Sequence, residues 1–252
     1  MFDIAYTQHR GKQNPHQQDA LWNGKQAIQD VDIPTGTYTV SEKSLLLAVA
    51  DGVAISPSPD LASIFVIKTL GMAGAEVPLT SRRVRDIHGL LCGRYAKGRT
   101  KGSSTTLVAV RCTSDVCEIL NVGDSRAYRI STDGHWHQLS HDHTVLNDFI
   151  ASGEAEEGQE YASFYQALAH CLIADDDEDG FSVHCCHSPF LTGDSLLLCS
   201  DGLHDTLGDD LLRSLYRASA SPLEQVDIWR KAVMAAGAPD NFSIILSRRL
   251  TG

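Results

Sequence analysis

Two aspartates close apolar runs in which a carboxylate needs a reason to be. Leu45-Leu46-Leu47-Ala48-Val49-Ala50 stops at Asp51-Gly52, and Leu196-Leu197-Leu198-Cys199-Ser200 stops at Asp201-Gly202. Taking an unpaired carboxylate out of water costs on the order of several kcal/mol even after relaxation. Such an aspartate therefore sits in a solvated turn, for which Asp-Gly is a common signal, or is neutralised by a cation. The pattern recurs: Val122-Gly123-Asp124-Ser125 falls between two strand-like runs, and Pro239-Asp240-Asn241 just precedes another. Carboxylates delivered repeatedly to strand ends favour a shared cation site. Aspartate oxygens, backbone carbonyls and water are the donors that Mg²⁺ and Mn²⁺ prefer.

The elements that must carry these residues follow from the apolar pattern. Phe2, Ile4 and Tyr6 alternate with Asp3, Ala5 and Thr7, a half-buried strand. The two apolar runs have the length and turn boundaries of buried strands, and 106–111, 116–122, 125–131 and 242–246 read as further strands. Ser58-Pro59-Asp60 combines an N-cap, a first-turn proline and an acid ahead of Leu61, Ile64, Phe65 and Leu70. Val84, Ile87, Leu90, Leu91 and Tyr95 repeat at helical spacing despite Gly89 and Gly93. Leu146, Phe149 and Ile150 form a helix face that ends at Gly153, and Ser221-Pro222-Leu223-Glu224 is a capping box opening a helix through Met234. Grouped strands with helices between them predict an α+β fold of antiparallel sheets covered by helices. With no internal repeat or linker, one domain over 1–252 is expected, and the polar stretch of about 154–188 is expected to be a surface excursion.

Composition narrows the function. A formal net charge of −11 disfavours a polyanion as partner, so no nucleic acid is expected. The seven cysteines contain no C-x-x-C, Met1-Phe2-Asp3 is not signal-like, and no apolar run approaches a membrane span. A cytoplasmic monomer with reduced thiols and no membrane partner is expected. Other clusters carry less. Asp175 to Gly180 begins like a calcium loop, but its twelfth position is Cys186 instead of a bidentate glutamate. His135, His137, His141 and His143 alternate without the usual zinc-ligand spacing. Ser125 and Ser200 lack the G-x-S-x-G turn of a serine hydrolase.

Taken in order, these residues resemble the PPM family, the metal-dependent (type 2C) serine/threonine phosphatases, in its compact bacterial-like form. Gln17-Gln18-Asp19 is similar to the family's N-[EQ]-D, Ala50-Asp51-Gly52 to its [AY]-D-G, and Gly102-Ser103-Ser104-Thr105-Thr106 to its G-[ST]-T opening. Val122-Gly123-Asp124-Ser125-Arg126 contains its G-D-S-R, and Leu139-Ser140-His141-Asp142-His143-Thr144 resembles L-T-x-D-H-S. Cys199-Ser200-Asp201-Gly202 matches C-S-D-G, and Asp240-Asn241 the terminal D-N. The likeness spans nearly the whole chain.

The resemblance implies a four-layer α/β/β/α sandwich and two divalent cations, Mn²⁺ or Mg²⁺. By it Asp51 bridges both, Asp201 and Asp240 hold the first, and Asp19 and the carbonyl of Gly52 hold the second. Asp124 and Asp205 are similar to positions that take a third, weaker cation. The implied reaction is hydrolysis of phosphoserine or phosphothreonine on proteins by a water shared between the cations. Three departures stand out. Asn14 occupies the place of the family's phosphate-gripping arginine, which leaves Arg10 and Lys12 as candidate substitutes. Val53-Ala54-Ile55-Ser56 replaces M-G-G-H, and the glycine expected after Tyr165-Gln166-Ala167-Leu168 is missing. The alternative they motivate is a catalytically weak, phosphatase-like module that binds phosphoproteins or partner proteins.

Overall fold

A strand whose residues are all buried needs cover on both faces, and Ser44–Ala50 is such a strand. Leu45, Leu47 and Val49 pack into one apolar core, while Leu46, Ala48 and Ala50 pack into another. Side chains alternate across a strand, so a layer must lie on each side of it. The computed structural model describes residues 1–250 except 114, 160, 178 and 179. Glu178 and Asp179 of the acidic loop lie outside the described residues.

The chain runs through β1 (Phe2–His9), β2 (Ala20–Trp22), β3 (Ala27–Ile28), β4 (Asp32–Val40) and β5 (Ser44–Ala50) into helices α1 (Pro59–Met72) and α2 (Ser81–Tyr95). It continues through β6 (Ser104–Thr105), β7 (Leu107–Thr113), β8 (Val116–Val122), β9 (Arg126–Ile130), β10 (Trp136–Gln138) and α3 (Val145–Ser152). The last part holds β11 (Leu172–Ile173), β12 (His184–Pro189), β13 (Ser195–Cys199), α4 (Asp201–Ser214), α5 (Pro222–Ala235) and β14 (Phe242–Arg249). Two sheets result, ordered β10-β9-β13-β14-β1-β4 and β12-β8-β7-β5-β2-β3, with β6 and β11 forming a short ribbon. The first sheet's pairs, for example β1 with β14 and β13 with β9, are antiparallel, as are β5 with β7 and β7 with β8 in the second.

Ile4, Leu47, Val110, Leu196 and Ile245 fill the space between the sheets. Val66, Leu70, Val84 and Leu91 of α1 and α2 cover the second sheet, and Leu203, Val226, Trp229 and Val233 of α4 and α5 cover the first. The layers are α/β/β/α. Each fully buried leucine or valine stabilises this arrangement by about 1.5–3 kcal/mol. The capping box at Ser221 forms, and α3 ends on Gly153 at φ +80°. Ser58 stands at the N-cap of α1 without a side-chain cap bond.

Four elements differ from the sequence reading. β1 is not half-solvated, because Ala5 packs into the core that includes Trp229 and Val233. β4 pairs with β1 although it contains Pro34 and Gly36, which an edge strand tolerates because one row of N–H groups needs no partner. The stretch 154–188 includes most of β12, which pairs with β8 as an edge strand. A helix, α4, opens at Asp201 where a turn had been one option.

Candidate active site

Strand register brings the aspartates to one end of the sandwich. Ala20 pairs with Ala50, which sets Asp19 beside Asp51. Leu107 pairs with Val122, so Asp124 emerges next to Thr106. Cys199 pairs with Ile244, which brings Asp201, at the first position of α4, close to the Asp240 turn ahead of β14. Asp51, Gly52, Asp124, Asp201 and Asp240 line one cavity of about 240 Å³, and Asp201, Asp205 and Asp240 line a second of about 310 Å³.

Each carboxylate is held by its own local reason. Asp19 is wholly buried, and its Oδ2 accepts hydrogen bonds from Ser200 Oγ at 2.7 Å and Ser243 Oγ at 2.8 Å. Its Oδ1 is buried without a partner, as is Oδ1 of Asp201. The backbone N–H of Asp51 donates to Thr106 Oγ1 at 2.9 Å, and its carbonyl accepts from Thr106 N and Thr105 Oγ1. Asp201 in the first turn of a helix is favoured by the helix dipole. Asp240 Oδ1 accepts from the N–H of Asn241 at 2.7 Å and from Asn14 Nδ2 at 2.6 Å. Asn241 then ties the 10–18 loop down: its Oδ1 accepts from Gln18 N, and its Nδ2 donates to the carbonyls of Arg10 and His16.

The glycines after Asp51 and Asp201 are there for proximity. Neither has the left-handed φ that an Asp-Gly hairpin turn demands. A Cβ on Gly202 would lie 1.9 Å from the carbonyl oxygen of Asn241, and one on Gly52 would lie 2.6 Å from that of Pro59. Only a residue without a side chain lets these segments meet.

Crowded acids resist ionisation. Burial, with the charge of Asp201 adding to it, pushes Asp19 up to about 7 against the pull of its two serines. Burial and Asp201 likewise push Asp124 up to about 7. Asp51 and Asp201 are raised as well, first by burial, and Asp51 lies within hydrogen-bonding reach of both Asp19 and Asp201. Asp205, on the rim, goes the other way: burial opposes ionisation, but the contact with His204 at 2.9 Å and the charges of His204 and Arg126 together outweigh it and lower the carboxyl.

Among the described residues, no three His, Cys, Asp or Glu side chains stand as a finished metal cage. The fit to divalent cations rests on the donor set. It consists of oxygen atoms only, two of them buried and unpartnered, in a cluster of acids that repel one another. Hard cations such as Mn²⁺ and Mg²⁺ suit such donors.

The other sequence candidates are placed as follows. Asn14 reaches the cluster through Asp240. Arg10 and Lys12 do not line either acidic cavity. Arg10 Nη1 donates to Pro15 O at 2.9 Å, Lys12 Nζ donates to Met234 O at 3.2 Å, and both line a separate cavity. The segment without glycines still closes, since Ser56 N donates to Val53 O, and Ser104 N donates to Ser56 Oγ. Gln166 and Leu168 of the 154–188 stretch wall the cavity at Asp51. The turn carrying Asp124 is fixed by His143, whose Nδ1 accepts from Gly123 N, while the Arg126 guanidinium pairs with Asp142 at 2.6 Å. Ser243 was missed in the sequence. Its signal is a polar side chain between Phe242 and Ile244 on a buried strand.

The model of protein phosphatase 2C matches residues 29–236, and the chain belongs to that family. The match spans Asp51, Asp124, Asp201 and Asp205; Asp19 and Asp240 lie outside it and join the others through the fold. A relative, the serine/threonine phosphatase stp of Listeria innocua serovar 6a, is 27% identical over 226 residues, covering 85% of this chain and 88% of that protein. The serine/threonine phosphatase PstP/Ppp of Mycobacterium tuberculosis has a similar fold, with a TM-score of 0.79 at 21% identity over 100% of both chains. The PstP catalytic domain in complex with two manganese ions gives a TM-score of 0.73 at 20% identity, again over 100% of both.

Proposed function

We propose that the chain is a metal-dependent protein phosphatase that hydrolyses phosphoserine and phosphothreonine, with two divalent cations, Mn²⁺ or Mg²⁺, held by its strand-end aspartates. The observation that carries this is the pair of buried, unpartnered oxygens, Asp19 Oδ1 and Asp201 Oδ1, in a knot of mutually repelling carboxyls. Asp51, within reach of both neighbours, would bridge the cations; Asp201 and Asp240 would hold one, and Asp19 with the carbonyl of Gly52 the other. Asp124 and Asp205 would share a third, weaker site. When bound, the cations supply positive charge to the phosphoryl oxygens and bring the pKa of a water towards neutrality.

The chain's own groups prepare that chemistry. Ser200 and Ser243 occupy Oδ2 of Asp19 and so leave Oδ1 as its donor atom. Asn241 holds the loop bearing Gln18 against β14, which fixes Asp240 relative to Asp19. Gln18, Thr106 and Gln166 are the neutral polar residues on the cavity wall available to orient a phosphoryl group. Asn14 cannot offer a charged fork, so it adds little affinity for the phosphate being hydrolysed. The net charge of −11 supports a phosphoprotein over a polynucleotide as substrate. We further propose that it acts in the cytoplasm as a monomer.

Release of phosphate from a phosphothreonine peptide should require Mn²⁺ or Mg²⁺ and be lost in chelator and in Asp201→Ala. No turnover of peptides or of an aryl phosphate with either cation overturns the reading.

A further inference from the structure

The turn at 10–13 separates two cavities of opposite character. On one side Gln13 joins Asp201, Asp205 and Asp240 around the cavity of about 310 Å³. On the other, Arg10 and Lys12 join His9, Asp32 and Met234 around one of about 650 Å³. The turn is fixed against the segment that carries Asp240. Lys12 N donates to Ala238 O at 2.8 Å, and Gly11, at φ +73°, sits where a Cβ would be 2.3 Å from the carbonyl oxygen of Asp240. The cavities therefore adjoin across a wall a few residues thick.

Among the described residues, no carboxylate pairs with the two cations of the basic side. Arg10 and Lys12 are exposed, and their hydrogen bonds go to neutral carbonyls, those of Pro15 and Met234. A guanidinium has five N–H donors and an ammonium three, so most remain available. Asp32, the carboxylate in the cavity wall, is already paired with Arg230 at 2.6 Å. In a chain of net charge −11, two uncompensated cations beside an acidic site form a local attractor for anions.

We propose that this basic cavity is a substrate subsite for a second anionic side chain, above all a second phosphorylated residue, two to four positions from the one being hydrolysed. The inference rests on the phosphatase reading and names the substrate class it selects. The spacing follows from the turn. Gln13 and Gly11, on the two sides of the wall, are two residues apart, at most about 7 Å, which an extended peptide advancing about 3.3 Å per residue crosses in about two positions, and the reach into each cavity adds up to two more. Arg10 and Lys12 thus do not replace the arginine absent at Asn14; they grip the substrate at a neighbouring residue. A phosphate is preferred over a carboxylate because its higher charge and extra acceptors satisfy both cations at once.

The test uses matched phosphothreonine peptides that carry phosphoserine, glutamate or alanine three residues before or after the phosphothreonine. Rates are measured with Mn²⁺ on the wild type and on R10A/K12A, with an aryl phosphate as control. On one side, kcat/KM for the phosphoserine peptide should exceed that for the alanine peptide by about ten-fold, the worth of one charge-assisted contact, with glutamate between them. In R10A/K12A that preference should collapse while aryl phosphate turnover stays at the wild-type rate. Equal rates on all peptides in the wild type, or a preference that survives in R10A/K12A, overturn the proposal. Failure of the phosphatase reading shows separately, as absence of aryl phosphate turnover by the wild type. Fluorescence anisotropy of the labelled phosphoserine peptide then decides the subsite: weaker binding to R10A/K12A supports it, and equal binding overturns it.

Discussion

Removing one hydroxyl, Ser243→Ala, should weaken Mn²⁺ binding without unfolding the protein. Ser243 Oγ donates to Asp19 Oδ2 at 2.8 Å while accepting from Gln8 Nε2 at 2.9 Å, so its proton is committed to the carboxylate. A hydrogen bond to a charged group contributes about 1.5–3 kcal/mol. At about 1.4 kcal/mol per decade, that is roughly a ten- to hundred-fold rise in Kd. Partners that orient metal ligands lose about 10–100-fold in affinity when removed, an independent figure of the same size. Ser200 remains as a second donor to the same oxygen, so the lower end, about ten-fold, is expected. Titration calorimetry with Mn²⁺ measures it directly, and the Mn²⁺ dependence of phosphate release should shift by the same factor, with kcat recovering at saturation. Mn²⁺ affinity within two-fold of wild type, in a variant that still melts cooperatively, refutes the idea that this serine prepares Asp19 for a cation.

Four further outcomes are expected. Gly202→Ala should cost more than about 3 kcal/mol in thermal unfolding, because its Cβ would meet Asn241 O at 1.9 Å. Gly89→Ala, with nothing within 4 Å and a helical backbone, should instead raise stability by about 0.5–1 kcal/mol. In chelator, the carboxyls raised to about 7, Asp19 and Asp124, make the folded state bind more protons than the unfolded one, so they favour folding at low pH. That contribution should be lost as pH climbs from about 4 to 7, and Mn²⁺ should suppress the loss in melting scans at pH 5 and 8. Asn14→Arg should raise kcat/KM on a phosphopeptide by about ten-fold through a bidentate phosphate contact. A fall in steady-state assays would instead assign the weight to the amide that Asn14 gives Asp240.

Much of the fold was legible because its central strands advertise themselves. The runs ending at Ala50 and Cys199 are apolar on consecutive positions, as two-sided burial requires. Edge elements do not advertise themselves. In β4, Pro34 and Gly36 read as breakers, and β12 alternates partly buried and exposed positions through histidines and cysteines that look like loop. α4 was hidden because Asp201-Gly202 imitates a turn and Gly208, at φ +71°, interrupts the helical run. The aspartates were readable one by one from their strand ends, but the hydrogen bonds that prepare them were not. Ser243 approaches Asp19 across 224 residues of sequence. Nothing in the local text around Arg10 and Lys12 says which way their charges face.

The place of β14 has a consequence for how the protein comes to life. It inserts between β13 and β1, near the middle of its sheet, and the turn just before it supplies Asp240. A growing polypeptide that has emerged only through α5 already contains Asp19, Asp51 and Asp201, yet β1 still lacks the neighbour that joins it to the strand leading to Asp201. Activity should therefore switch on only once β14 has emerged, and all at once, which spares the cell a half-made hydrolase acting on its signalling phosphates.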